Sequence, residues 1–408
     1  MTLALLQRLA QGPLSVYPFK AGPDFIDPVW HQKATGKTSY NLDSHMMTGA
    51  QLAQTLNHVP ENALALVEGV MGLFDGRSGV GGAGSTLDLA EKLNAPVLLV
   101  VNAKGLSGSI VPLVAGFQQY ANRLGVNIVG ILANQVGSAH HIKLLKGHLA
   151  DEGLPPIIAT LDKHAPSIAE RHLGLNLPGQ EGLPDFGPHL ELDEPKFMDL
   201  LGEYTAPAHS PKPKQILKGK QIAIAKDQAS CFIYPANLDW LQEMGAEISY
   251  FSILQGEPVP ANTDALWLPG GYPELYGTEL SASKSWDSIN QFIDSGGHAL
   301  AECGGMMMLG QSCVDLGGNA FSVSGLLPYQ TKMEDRLVGL GYRELQNGMK
   351  GHEFHHSSRQ ESGPTDPAFE LARGDQGIKY KNLIASYIHW YFPSNPSLVA
   401  SWFAGEAV

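Results

Sequence analysis

A cysteine that ends an apolar run and precedes two glycines has the setting of a nucleophile, and residues 298–310, HALAECGGMMMLG, place Cys303 in one. The chemistry it suits is acyl transfer through a thioester. Small residues after the cysteine permit a sharp strand-to-helix turn that presents the side chain at the carboxyl end of a sheet. The sulfur then lies at a helix N-terminus, where the dipole favours thiolate, and the Gly304 N–H is available to an oxyanion. Residues 266–275, LWLPGGYPEL, offer a second donor loop in which Gly270 and Gly271 leave their amides unshielded. The base is expected late in the chain, where His389 ends an apolar strand in ASYIHWYFPSNP, residues 385–396. Each feature alone fits a packed cysteine or a structural histidine. The three together, in this order, point to a Cys–His site. Cys231 and Cys313 lack such surroundings and read as structural.

A second group of reactive side chains lies in the first half. Residues 17–31, YPFKAGPDFIDPVWH, carry Lys20, Asp24 and Asp27 after a strand. Residues 66–76, LVEGVMGLFDG, end another strand at Glu68 and add Asp75 in a glycine-rich loop. Turn-forming aspartates explain each segment singly. Carboxylates at the carboxyl ends of parallel strands also suit a magnesium–nucleotide site, and these four are expected to converge above one sheet edge.

The elements needed to hold both groups follow from the hydrophobic pattern. Strands are expected at residues 15–19, 64–68, 96–101 and 128–133, and helices at 3–10, 87–93 and 109–124. This alternation implies a parallel sheet with helices on both faces. The second half repeats it, with strands at 221–225, 265–268 and 299–302, a helix at 237–244, and short strands mixed with histidines and aromatics after residue 339. The run APAHSPKPK, with three prolines and two lysines, reads as a linker at 206–216 between domains 1–205 and 217–408. A length of 408 residues agrees with two cores.

Composition narrows the class. A net charge of −13 argues against nucleic acid as a partner. No apolar run reaches membrane-spanning length, and the first residues lack the order of a signal peptide. Three cysteines are too few for a disulfide scaffold and lack zinc spacing. A reducing, cytoplasmic setting is expected. Oligomeric state is not read, and a homodimer is compatible.

LPGGYPE, AECGG and SYIHWYF resemble the glutaminase domain of the cobyric and cobyrinic acid amidases, a branch of the class I glutamine amidotransferases. By that resemblance Cys303 is the nucleophile and His389 its base, with Gly270, Gly271 and Gly304 around the oxyanion and glutamine. Most class I members carry a glutamate two residues after the histidine. Here Tyr391 stands there, so a dyad is implied. PFKAGPDFIDP, NLDSHMM, EGVMGLFDG, RHLGL, NLDWLQEMGAE, LPGGYPELYG, AECGGMMMLG and GHEFHHS extend the likeness over nearly the whole chain, to the cobyrinic acid a,c-diamide synthase family.

The resemblance implies an α/β chain: a P-loop-type, dethiobiotin-synthetase-like parallel domain followed by a flavodoxin-like amidotransferase domain. It implies ATP and glutamine as substrates, Mg²⁺ as cofactor, and a corrinoid whose a and c acetates are amidated through acyl phosphates. Asp24 and Glu68 would hold Mg²⁺, and Asp27 and Asp75 would face the reacting carboxylate. Lys20 belongs to the same side of the site, Asn134 would read adenine, and Phe25 and Ile26 would shape the substrate pocket. GHEFHHS would help close the corrin site, with no chemical role assigned to its histidines. The family opens on a strand and a GxxxxGK[ST] loop. The 408 residues contain no such motif, and ATGKTSY at 34–40 lacks its context. A start assigned too late is the expected reason, and the chain as it stands is expected to show no ATP-dependent amidation. The competing readings are a nucleotide-fold protein that does not use ATP and a stand-alone Cys–His glutaminase.

Overall fold

Continuous apolar runs bounded by turn residues form the strands here, as expected of parallel sheets that pack helices against their faces. In the computed structural model, which describes residues 1–77, 80–168, 182–204 and 214–405, the chain divides into two compact units, Met1–Ser210 and Pro211–Val408. The segment RHLGL at 171–175 lies outside the described residues, and so does the proline-rich run at 206–216 up to residue 213.

The first unit runs α1 (Thr2–Ala10), β1 (Val16–Ala21), α2 (Asp27–Thr35), β2 (Tyr40–Leu42), α3 (Gly49–Leu56), β3 (Leu64–Glu68), α4 (Thr86–Lys92), β4 (Val97–Asn102), α5 (Ile110–Arg123), β5 (Ile128–Val136), α6 (Ala139–Asp151), β6 (Ile157–Asp162), β7 (Leu190–Leu192) and α7 (Glu194–Asp199). Its strands form two sheets, ordered β2-β1-β3 and β4-β5-β6-β7, parallel except where β7 runs against β6. The helices start where the local chemistry lets them. Ser85, Ser138 and Asp193 accept from the first free N–H groups of α4, α6 and α7, and Thr48 with Gln51 closes a capping box on α3. Leu99, Val101, Ile110, Val114, Ile131 and Leu145 belong to one buried core between the second sheet and its helices.

The second unit runs β8 (Gln221–Ala225), α8 (Pro235–Glu243), β9 (Glu247–Phe251), β10 (Ala265–Leu268), α9 (Gly277–Ala282), α10 (Ser285–Asp294), β11 (His298–Glu302), α11 (Gly304–Met307), β12 (Ser312–Val314), β13 (Ala320–Ser322), β14 (Tyr329–Met333), β15 (Gly339–Glu344), β16 (Lys350–His355), β17 (Ser357–Glu361), β18 (Ile378–Tyr380), β19 (Leu383–Ser386), β20 (His389–Trp390) and α12 (Pro396–Ala404). A six-stranded sheet, β18-β19-β11-β10-β8-β9, is parallel apart from the edge strand β18. Its central strands β10 and β11 are buried along their length but for His298. Two smaller sheets, β13-β12-β14-β17 and β15-β16-β20, complete the unit. Trp267, Trp390, Phe392 and Phe403 are almost wholly buried in its core.

Ile131, fully buried on the central strand β5, has no route for water to replace it. Ile131→Ala is expected to lower the unfolding free energy by about 2–5 kcal/mol, read from the shift of a urea denaturation midpoint.

Candidate active site

Strand β11 ends at Glu302, and Cys303 turns the chain with φ 45° and ψ −110°, a conformation that non-glycine residues rarely adopt. Such a residue stores on the order of 1–3 kcal/mol of backbone strain and persists only when its surroundings over-determine it. They do so here. Cys303 N–H donates to the Ser386 carbonyl at 2.7 Å, and the Cys303 carbonyl accepts from Met307 at 2.8 Å. The following glycines are required by close approach. A Cβ on Gly304 would stand 2.9 Å from the Gly271 nitrogen, and one on Gly305 would run into the Leu268 carbonyl. The elbow therefore packs directly on the Leu268–Gly271 backbone.

A Cβ on Gly270 would collide with His389 Cε1 and lie 3.2 Å from the Cys303 Cβ. The missing methyl thus marks the point where the candidate nucleophile and base meet. His389 is 2% exposed and Cys303 5%. The histidine does not end the apolar strand, as the sequence suggests. β19 stops at Ser386, and His389 opens β20, which pairs antiparallel with β16 in a different sheet. The chain leaves the six-stranded sheet at the level of Cys303, so the base reaches the thiol from outside that sheet.

The expectation of a thiolate at a helix N-terminus is corrected. α11 has four residues, too short for a sizeable dipole, and the sulfur is buried. Burial, and next the Glu274 carboxylate, push the Cys303 thiol up to about 12, against a hydrogen bond from the Gly304 N–H. Burial, then His352 and His355, hold His389 well below the usual imidazole range. Both effects favour a neutral thiol beside a neutral imidazole.

Sequence reasoning missed Glu302, although it directly precedes the nucleophile. It is 2% exposed, and its two oxygens accept from Trp390 N–H at 2.8 Å and Trp267 Nε1–H at 3.0 Å. Burial raises its carboxyl to about 8, against those two donors. It also missed His352, which lies in GHEFHHS beside His389 with the ring centroids 5.1 Å apart.

In the first unit the structure brings three of the four carboxylates around Lys20, which lies within β1 rather than after it. The buried ammonium is 2.5 Å from Asp27 Oδ2 and 3.4 Å from Glu68 Oε2, and it donates to the Gly69 carbonyl at 3.2 Å. Against the effect of burial, Glu68, Asp27 and Asp24 raise its pKa. Burial and the neighbouring Asp24 raise Asp27. Glu68 is held down to about 2: burial opposes ionisation, but a hydrogen bond from His31 at 2.8 Å and the Lys20 charge outweigh it. His31 and Asn41 are further residues that the sequence reading passed over. His31 joins Ser39 and Glu68, and Asn41 donates to the Gly22 and Asp24 carbonyls.

Asp24 Oδ1 accepts from the Ile26 and Asp27 amides at 2.8 and 2.9 Å, so the segment with Phe25 and Ile26, both half-buried, is a tight turn into α2. Asp75 stays in its own loop, where it accepts from Gly72 N–H at 2.9 Å. Asn134 falls inside β5 rather than after it, because bulged pairing with β6 carries the strand on to Val136. Among the described residues no group of three or more His, Cys, Asp or Glu is disposed to hold a metal ion, and no helix is long and apolar enough to cross a membrane.

Fold and site define the second unit as an α/β glutamine amidotransferase domain, and residues 221–397 match the family model described as a CobB/CobQ-like glutamine amidotransferase domain. The chain is 35% identical to the cobyrinate a,c-diamide synthase of Priestia megaterium, over 98% of this chain and 93% of that one. It is 35% identical to the enzyme of the same name from Herminiimonas arsenicoxydans, over 100% and 93%. It is 36% identical to the hydrogenobyrinate a,c-diamide synthase of Brucella suis, over 95% and 94%. The chain belongs to the cobyrinate/hydrogenobyrinate a,c-diamide synthase family.

Two outcomes follow from the electrostatics. Glu302 is protonated in both folded and unfolded chain below about pH 4.5, and between there and about pH 8 only the unfolded chain ionises freely. Its contribution to stability is therefore lost as pH rises through that window, by up to about 1.4 kcal/mol per pH unit. Glu302→Gln is expected to remove this slope from urea denaturation series at several pH values; an unchanged slope contradicts the assignment. Alkylation of Cys303 by iodoacetamide, followed by peptide mapping, is expected to climb steadily from about pH 7 to about pH 10. A plateau at neutral pH would show a stable thiolate instead.

Proposed function

We propose that the chain hydrolyses glutamine at Cys303 and uses the ammonia to amidate the a and c acetates of cobyrinic or hydrogenobyrinic acid in cobalamin biosynthesis. The observation that carries this reading is the meeting of Cys303 and His389 at the unsubstituted face of Gly270. Cys303 Sγ attacks the glutamine amide carbon as His389 takes its proton, and the amides of Gly271 and Gly304 receive the oxyanion. His389 returns the proton to the departing ammonia, and water then cleaves the thioester to glutamate. Concerted transfer suits a pair that rests uncharged.

The amidation half is assigned to the first unit. The γ-phosphoryl group of ATP passes to an acetate oxygen, and ammonia displaces phosphate from the acyl phosphate. Asp24 and Glu68 would supply the hard oxygen donors that Mg²⁺ takes, one or two carboxylates being enough when phosphates complete the shell. When bound, the ion neutralises phosphate charge. Lys20, already surrounded by these carboxylates, is placed to meet the same charge. Asp27 and Asp75 are assigned to the reacting carboxylate, Asn134 to adenine, and Phe25 and Ile26 to the corrin. The setting proposed is the cytoplasm.

A second reading is glutamine hydrolysis at Cys303 and His389 without ATP-dependent amidation. Both activities should be assayed in the 408-residue chain and in the longest in-frame product of its gene, with each corrinoid. Cys303→Ser and His389→Ala are expected to lower glutamine hydrolysis by a factor on the order of 1,000 or more. Ammonium chloride should restore amidation to the Cys303→Ser form wherever the parent protein amidates. Amidation by neither protein, from glutamine or ammonium, would leave only the second reading.

A further inference from the structure

GHEFHHS has no place in the reaction as written so far, yet it supplies the nearest cross-strand neighbour of the base. In the antiparallel pairing of β16 with β20, His352 is the register partner of His389. Directly opposed residues point their side chains to the same face. The two rings lie 5.1 Å apart and 22° from parallel. His352 Nδ1 is in turn hydrogen-bonded to the Tyr234 hydroxyl at 3.0 Å. Tyr234, 3% exposed at the start of α8, meets Tyr391 edge to face at 6.4 Å. Tyr391 is the residue standing where most class I amidotransferases carry a glutamate. The aromatic set Tyr391–Tyr234–His352 therefore ends on His389.

From this stack we infer that His352, fixed by Tyr234, is a positioning residue for His389, setting the plane of its ring. The inference rests on the Cys303–His389 reading above. A base must have its ring held at the thiol, because a small misplacement is costly in rate. Burial, and next the Arg343 charge, push His352 down to about 3, so it offers His389 a neutral ring to stack on. His352 touches neither glutamine nor the sulfur in this scheme and acts only through His389.

The test is steady-state glutamine hydrolysis by His352→Ala, His352→Phe and Tyr234→Phe, beside Cys303→Ser and His389→Ala, with a thermal melt of each. His352→Ala is expected to lower kcat about tenfold or more while KM for glutamine changes by less than about twofold. His352→Phe, which keeps the stacked surface, should recover most of that loss. Tyr234→Phe, which removes only a hydroxyl, should fall between them and carries the test if His352→Ala does not fold. Equal kcat in His352→Ala and the parent, loss in KM rather than kcat, or no recovery with phenylalanine overturns the inference. Turnover surviving in Cys303→Ser or His389→Ala instead overturns the reading on which it rests.

Discussion

A carboxyl group buried among apolar strands must find hydrogen-bond partners, and the two donors that Glu302 finds tie the glutaminase site together. One donor, Trp267, is on β10, whose next residues are the Leu268–Gly271 backbone under the elbow. The other, the Trp390 amide, directly follows His389. Glu302 itself directly precedes Cys303. A single buried group thus ties the strands leading to the nucleophile, the candidate oxyanion loop and the base. The strain at Cys303 is held by the same frame, since the elbow cannot relax without moving off the Gly270–Gly271 backbone or losing the bond to Ser386.

The two units handle charge in opposite ways. Cys303 and His389 are deeply buried, and burial favours the neutral form of each. Around Lys20 the groups are charged and already paired: an ammonium among carboxylates, with His31 holding Glu68. A thioester-forming site gains from excluding water and bringing charge forward only during attack. A site that handles phosphate gains from standing charges whose mutual repulsion and attraction are balanced beforehand.

Much of the fold was legible because its parallel strands are unbroken apolar runs, whether buried throughout as in β10 or half-buried as in β3. β3, β8 and β10 fall where the pattern puts them, and the other strands of that pattern differ by a few residues at their ends. Small sheets leave weaker marks. β20 is two residues long, and its pairing with β16 joins positions 37 residues apart, which no local period records. The helix expected after Cys303 stops at one turn, because the glycines chosen for the elbow are poor helix formers and the chain is needed at β12.

The sequence by itself determined the chemistry available: Cys303 before two glycines, His389 in a late aromatic strand, an open PGG loop, and Lys20 with Asp24, Asp27 and Glu68 at strand ends. Residue type and local spacing carry that information directly. Only the tertiary structure decided the protonation states and the partners. Burial, not helix position, sets the thiol of Cys303, and burial depends on the packing of elements far apart in sequence. The same long-range packing places Glu302 between two tryptophans and lays His352 against His389.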